Sequence, residues 1–496
     1  MPVSKLAKYF LSGLVACLMA ASMVRADVPS ALLLVDSHSH QQTLETYREL
    51  TDQAVKLELT ARPAPAGRAR VSVQSMFSAE QGSWPFEPFV HNGLFRAIAG
   101  YQSQHPRAVF ISGGTISLTQ LYAQLNNERV LSRHENGYLL HYPLLIGPDA
   151  ALLVENTQLY LYSYSGTALI NRGQLILRQA GLHGYSDGQP HLTDRPYRPF
   201  VINWAGSQLQ LVDSELSGLG YNEHLSRGMS TARSTQQGTG VPRARVFVSD
   251  SRFRDMSVGL ELSQALARIE TSVFDNMQQY ALDLIDSNVE LQGNRIDTVR
   301  NASGIRLRGR SQGLMTNNRV LNASKSAIEI AELDGNLMLR GNQLGGNSGY
   351  GLLLSDLSPS TRLVVENNLI GNTRQTGIDG SGLHQGMLVN NRIMLTPEYA
   401  ISIRNEQRLS GPLQLTGNYL EQIGKAMIRV EGVNNLVLGE NHFQVNALQQ
   451  NLLIGDLLPF QAELLELTLK ADCLVAVDMA QPAAQDRLQL VCPKRS

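Results

Sequence analysis

Three arginines, Arg306, Arg308 and Arg310, stand at alternate positions, and two acids, Asp283 and Asp286, lie a little over twenty residues upstream. A guanidinium is a planar fork of donors that meets a carboxylate with two parallel hydrogen bonds. Three such forks beside two acids suit recognition of an anionic sugar, and a solvated mixed-charge face is the plainer alternative. The formal net charge of the 496-residue chain is only -1, so nothing global points to nucleic acid.

Other constellations carry less. His38-Ser39-His40, after Val35-Asp36, has the His-x-His form of a metal pair. A metal site there needs further His and Asp ligands on later βα units, and the sequence has no βα alternation. His134, His141, His183 and His191 are scattered. There is no phosphate-cradling glycine loop, no Gly-x-Ser-x-Gly elbow and no zinc-spaced Cys/His cluster, so neither a cofactor nor a metal is expected. Asn301-Ala302-Ser303 and Asn322-Ala323-Ser324 match glycosylation triplets in a chain already rich in Asn. Past the leader only Cys473 and Cys492 remain. They are either one disulfide closing a short C-terminal loop or two free thiols.

The elements that must position the arginines come from a repeat. A dipeptide ending in Asn precedes an apolar residue two places on, with the Asn at 294, 318, 342, 368, 391, 418 and 441. The steps are therefore 24, 24, 26, 23, 27 and 23 residues. Ser251 and Ser272 extend the series upstream. About ten residues later each unit reads small, apolar, variable, apolar, as in Gly259-Leu260-Glu261-Leu262, Ala281-Leu282-Asp283-Leu284 and Gly304-Ile305-Arg306-Leu307. That is strand periodicity, one side chain in and the next out. Each unit holds two or three short strands, too short to bury a core alone, so coil must stack on coil. The fold class expected is all-β, a right-handed parallel β-helix of about a dozen coils, roughly 55 Å long at ~4.8 Å per coil. Leucine-rich repeats are the rival, and their denser Leu spacing is missing. Asn suits a turn that tolerates left-handed backbone and bonds to its copies in neighbouring coils.

Stacking turns distant residues into ladders. One outward ladder runs Glu261, Asp283, Arg306, Glu329, Leu353, Asp379, Ser402, and a second runs Ser263, Ile285, Arg308, Ala331, Ser355, Ser381, Arg404. Such a long flat face fits a linear polymer better than a compact metabolite.

The remaining segments divide as follows. Residues 1–26 read as a Sec signal peptide: Lys5 and Lys8, then an apolar stretch from Tyr9 to Val24, then cleavage after Ala26. The stretch is shorter than the ~20 residues of a membrane span, and no later segment is apolar enough to be one. Leu14-Val15-Ala16-Cys17 also fits a lipoprotein cleavage box, although apolar residues continue past Cys17. Residues 27–110 lack the repeat and read as a small N-terminal cap or partner-facing segment. Residues 111–446 are the β-helix and 447–496 a C-terminal capping tail containing the Leu-rich stretch Leu457 to Leu469. A short helix is expected over 119–131, capped by Thr119 or Ser117, and Ser226 to Arg245 is expected as a loop over one face.

A further set of residues carries a resemblance. Ile111-Ser112-Gly113-Gly114, Tyr142-Pro143-Leu144, Arg198-Pro199-Phe200-Val201, Trp204-Ala205-Gly206, Gly220-Tyr221-Asn222 and Asp255-Met256 occur in an order and spacing that resemble the periplasmic mannuronan C5-epimerases of alginate biosynthesis. The likeness runs from about Phe110 to Asn347 and more loosely onward. It implies a periplasmic β-helix enzyme acting on polymannuronate, with periplasmic secretion proteins as candidate partners, no nucleic acid, and no transmembrane segment once the leader is removed. It also implies Tyr221 and Asn222 as substrate contacts beside the arginines.

The departures fall where the chemistry would be. The family carries an Asp-Pro-His-Asp tetrad; here Tyr280-Ala281-Leu282 is followed by Asp283-Leu284-Ile285-Asp286, so both acids remain and the His position is Ile285. The family Arg one coil later falls on Gly309. Epimerisation removes the proton at C5 and returns one from the opposite face, which needs a base near neutral pKa and a group neutralising the carboxylate. Ile accepts no proton. Asp283, Asp286 and Tyr280 are thus the catalytic candidates, with Tyr221 or His224 as a displaced donor or base. Three functions follow: an epimerase with a displaced base, a non-catalytic scaffold that grips and shields the polymer during secretion, or a lyase, which begins with the same proton abstraction.

Overall fold

The computed structural model describes residues 37–76, 98, 102, 106–188, 197–221, 225–233, 240, 242–445, 449–468, 473–481 and 487–491. The leader, Cys17, Asn222, His224 and Cys492 lie outside the described residues.

Short strands stack into three long sheets, two with fifteen strands and one with fourteen among the described residues. One coil shows the plan: Gln174–Arg178 lies in sheet 1, Gly181–Tyr185 in sheet 2 and Val201–Asn203 in sheet 3. Pairing between successive coils is parallel and in register, for example Leu152↔Leu175↔Leu209 and Val154↔Leu177↔Leu211. Those inward positions are fully buried. Phe253 and Phe274 stack face to face inside the rod at 4.4 Å.

The Asn-containing dipeptide divides its work between its two residues. The first takes the left-handed turn: Gly293, Asn317, Gly341, Asn367, Asn390, Gly417 and Glu440 all have φ between 52° and 68°. The second turns inward between sheets 1 and 2 and forms a buried amide ladder. Asn294, Asn318, Asn342, Asn368, Asn391 and Asn418 each donate from Nδ2 to Oδ1 of the next, at 2.9–3.1 Å, and the ladder ends on Asn441. The same Oδ1 accepts the backbone N–H one coil back, as Asn342 does for Asn318 at 3.0 Å. Upstream, Ser214, Ser251 and Ser272 continue the column through N–H to Oγ bonds. The left-handed backbone and the inter-coil bonding expected of one residue belong to two.

Each sheet's outer face is treated differently. Sheet 1 is crossed by the N-terminal segment. Helix α1 (Ser37–Val55) seats the fully buried Tyr47 against Met338, Val364 and Met387, and the Tyr47 hydroxyl accepts the Leu363 N–H at 3.0 Å. Arg48 (2.8 Å) and Arg340 hold the buried Glu366 beside it. Residues 57–65 then run back along the rod, their carbonyls taken by Arg268, Arg245, Gln208, Gln174 and Thr115. Arg70–Ser75 finally pairs antiparallel with Arg107–Ser112. This part of 27–110 therefore lies along a flank as well as at an end.

Helix α2 (Leu118–Leu125) covers the first coil, with Leu118 and Leu121 buried and a capping box between Ser117 and Gln120. It is shorter than the expected 119–131 because Asn126 turns left-handed (φ 43°) and Leu131 already begins a strand. The stretch 226–245 is not all loop. Gly228–Thr231 is a strand of sheet 3 whose Met229 points into the core. At the far end Leu457 and, within helix α3 (Gln461–Thr468), Leu464 are buried, and Leu474–Asp478 extends sheet 1 antiparallel. Cys473 is disulfide-bonded.

Candidate functional site

Sheet 3 changes character along the rod. In the first coils its outward column reads Leu145, Ile170, Ile202, and these sit beneath Tyr197, Phe200 and Leu225, with Trp204 and Tyr221 packed at the margin. One coil later the column becomes polar: Ile202↔Ser230↔Glu261↔Asp283↔Arg306↔Glu329↔Leu353↔Asp379↔Ser402↔Arg429. Ser263↔Ile285↔Arg308↔Ala331↔Ser355↔Ser381 runs beside it. The first ladder read from the repeat is present throughout, and the second as far as Ser381.

Asp283 is the centre of the charged cluster and is only 2% exposed. Arg306, one coil on, takes both its oxygens, Nε to Oδ1 at 2.9 Å and Nη2 to Oδ2 at 2.7 Å. Arg227 approaches Asp283 at 3.8 Å and Glu261 at 3.6 Å, and Arg308 approaches Asp283 at 3.9 Å. Such pairing offsets the cost of taking a carboxylate out of water. The Arg306 guanidinium also lies over the Tyr280 ring at 4.1 Å. Burial opposes the Arg306 charge, but the Asp283 hydrogen bonds and charge outweigh it and raise its pKa. Burial, with Glu329 and Asp283 adding to it against Arg306 and Arg308, pushes the Tyr280 phenol up.

Asp286 stands one residue beyond the strand in left-handed conformation (φ 51°). Its carboxylate accepts the Arg310 N–H at 2.9 Å and meets Arg233 at 3.0 Å, while Arg243 donates to its carbonyl at 3.0 Å. Gly309, where the family Arg would fall, has φ 68°, and a Cβ there would collide with the Asp286 carboxylate. The Arg310 side chain is exposed, so its backbone rather than its guanidinium is engaged here.

Arg308 differs from its neighbour. Its side chain is 35% exposed, and its Nε is buried without a hydrogen-bond partner among the described residues. Arg306 is bound bidentately to Asp283, whereas Arg308 only approaches it at 3.9 Å; the Nε of Arg227 likewise lacks a hydrogen-bond partner among the described residues.

Asp283, Tyr280, Arg306 and Arg308 are thus gathered, Asp286 and the Arg310 backbone sit at the adjacent corner, and Tyr221 packs instead against Tyr197 at 4.9 Å in the apolar cover. Ile285 stands in register between Ser263 and Arg308. Sequence reasoning missed Arg227, Arg233 and Arg243. Gly228-Met229-Ser230 repeats the pattern of Gly259-Leu260-Glu261, and extending the ladder one coil upstream would have placed Arg227. Further along, Asp379 meets Arg404 at 3.3 Å and Arg429 meets Glu431 at 2.8 Å, and a hollow of about 460 Å³ opens beside Tyr399 and Lys425. Among the described residues no three His, Cys, Asp or Glu side chains are grouped to hold a metal, and no helix is long and apolar enough to cross a membrane. His38 and His40 fall on the first turn of α1.

A family model described as a right handed beta helix region matches residues 237–385. Mannuronan C5-epimerase of Pseudomonas putida is 25% identical over 340 residues, 65% of this chain and 63% of that protein. The Pseudomonas aeruginosa mannuronan C5-epimerase is 27% identical over 230 residues, 43% of this chain and 40% of that protein. The chain thus spans less than two thirds of the length of these relatives. The crystal structure of the periplasmic alginate epimerase AlgG superposes with a TM-score of 0.52 at 18% identity, covering 79% of this chain and 94% of that one. A single-substitution variant of it gives 0.60 at 17%, covering 79% and 97%. The fold is the same.

Proposed function

We propose that this relative of the mannuronan C5-epimerases binds a linear polyuronate of the alginate type along the open part of sheet 3, with Arg308 on a uronate carboxylate. The supporting observation is the division between the two arginines: Arg306 makes two short bonds to the buried Asp283, whereas the Arg308 side chain makes none among the described residues, approaches Asp283 only at 3.9 Å and keeps 35% of its surface exposed. Exopolysaccharide biosynthesis in the periplasm, after export on residues 1–26, is the setting this reading implies.

The cluster suits holding more than epimerising. Removing a C5 proton needs a base close to neutral pKa within hydrogen-bond reach. Asp283 and Asp286 are both ion-paired, the Tyr280 phenol is pushed up, and Ile285 stands where the tetrad's imidazole would be. A scaffold that grips and shields polymer is therefore the reading favoured here. Epimerase activity, favoured by the relatives, is the competing one.

Incubating the protein with polymannuronate in heavy water separates them. Binding with no deuterium at C5 is the expected result. Deuterium together with guluronate signals would establish the epimerase and overturn the scaffold, and unsaturated chain ends would indicate a lyase.

A further inference from the structure

The first coils of sheet 2 carry a cluster of aromatic side chains that the following coils of that face replace with polar and charged ones. In one outward column Leu139↔Tyr160↔His183 gives way to Ser217, Arg254, Asp275 and Asp297. In the next column Tyr162 stands opposite Tyr185. The rings touch across coils: His134 lies 4.8 Å from Tyr160 and 4.4 Å from Tyr185, Tyr160 lies 5.4 Å from His183, and Tyr162 lies 6.1 Å from Tyr185. Tyr164, 39% exposed, continues the group 6.1 Å from Tyr162.

These rings are held in place by their polar ends. The Tyr160 hydroxyl bonds Glu135 (3.2 Å) and Asn136 (3.1 Å), and the Tyr162 hydroxyl donates to Asp187 at 2.6 Å. His183 is fixed between Ser217 and Gln158, 2.8 Å to each. Partly exposed rings in a contiguous patch are unfavourable in water unless something covers them. A patch of rings rimmed by carboxylate and amide oxygens matches one chemistry well. A pyranose offers an apolar C–H face to the ring and hydroxyl donors to the rim. The rim carboxylates, Glu135 and Asp187, repel an anionic polymer and leave a neutral one unopposed.

We propose that Tyr160, Tyr162 and Tyr185 form a second glycan-binding surface, on a different face from the charged cluster, that takes a neutral hexopyranose chain. Tyr160 and Tyr162 are oriented by their hydroxyl bonds and Tyr185 by its ring contacts before any ligand arrives, so binding loses little rotamer freedom.

The test is calorimetric titration of the full-length protein with β-1,4-mannohexaose and, separately, with a mannuronate hexamer. The neutral oligomer should bind, and Tyr160→Ala and Tyr185→Ala should each weaken it by about tenfold. Tyr160→Phe, which keeps the ring, should retain most of the affinity, and Arg308→Ala should leave it unchanged. A Tyr160→Ala protein that fails to fold leaves Tyr185→Ala and the ring proton shifts of the unaltered protein to decide. No binding of mannohexaose, or binding insensitive to both alanines, would overturn the proposal. So would binding of the mannuronate hexamer at these tyrosines in preference to mannohexaose.

Discussion

Arg306 and Arg308 are two residues apart and chemically identical, and their different surroundings predict opposite phenotypes. Arg306 makes two short bonds to a carboxylate that is 2% exposed. Arg306→Ala strands that carboxylate, and breaking a buried pair from one side costs roughly 3–5 kcal/mol. Arg227 at 3.8 Å and Arg308 at 3.9 Å still face Asp283, which places the loss at the lower end, about 3 kcal/mol. Replacing both partners, Asp283→Leu with Arg306→Met, should recover most of it, because no charge is left unpaired. Arg308→Ala removes no short bond, only a 3.9 Å approach to Asp283 that Arg306 already pairs, so its stability cost should be about 1 kcal/mol or less, well below that of Arg306→Ala. Its cost falls on ligand. One charge-assisted hydrogen bond is worth about 1.5–3 kcal/mol, which is tenfold or more in Kd. Partial exposure favours the smaller figure. Urea denaturation gives the first quantity and titration with polymannuronate the second. An Arg308→Ala protein within twofold of the parent affinity, or an Arg306→Ala protein of parental stability, would refute the assignment.

Asn342→Ala should cost about 4 kcal/mol in urea denaturation, since it removes four buried hydrogen bonds at ~1 kcal/mol each. Asn441→Ala, at the half-buried end of the ladder with three, should cost less. Tyr47→Ala should release α1 from sheet 1, a loss of about 3 kcal/mol seen as protease cleavage between Lys56 and Arg68. Tyr47→Phe should largely preserve the packing. Burial depresses the His183 pKa, so the folded state resists protonation more than the unfolded chain does. Its contribution is present above the unfolded value of about 6.5 and is lost as pH falls through and below it. Thermal melting should therefore drop between pH 7.5 and pH 5.5, and His183→Asn should flatten that drop.

The solenoid was legible because its signal is local and repeated. The Asn dipeptide and the small-apolar-x-apolar strand recur at nearly fixed steps, and register then follows from stacking. That is why Asp283, Arg306 and Glu329 could be placed in one column before any coordinates. The flanks were not legible for the opposite reason. Tyr47 meets Leu363 and Arg268 meets the Leu57 carbonyl across hundreds of residues, with no periodicity linking them. Arg227 hid because its coil departs from the Asn pattern and its strand lies inside a Ser/Thr/Gly-rich stretch. Tyr221 was assigned by family position alone, and the structure shows it half-buried beside Tyr197 at the margin of the apolar cover.

The switch from Ile202 to Ser230 in the outward column of sheet 3 bounds the ligand that the open face can hold. Upstream, the face is an apolar seat already covered by the protein's own side chains. Downstream, the polar column runs from Glu261 to Arg429 through eight paired strands, seven intervals of ~4.8 Å or roughly 34 Å. A β-linked hexuronate unit is about as long as one coil is high, so successive sugars can meet successive coils in nearly the same way. Affinity for mannuronate oligomers should then rise with each added unit and level off at about seven or eight. Covered apolar side chains stop the track at one end; Leu353 interrupts its charge near the middle, so the increments there should be smaller. A plateau already at three units would confine recognition to the Asp283–Arg308 cluster and remove the rest of the face from the binding surface.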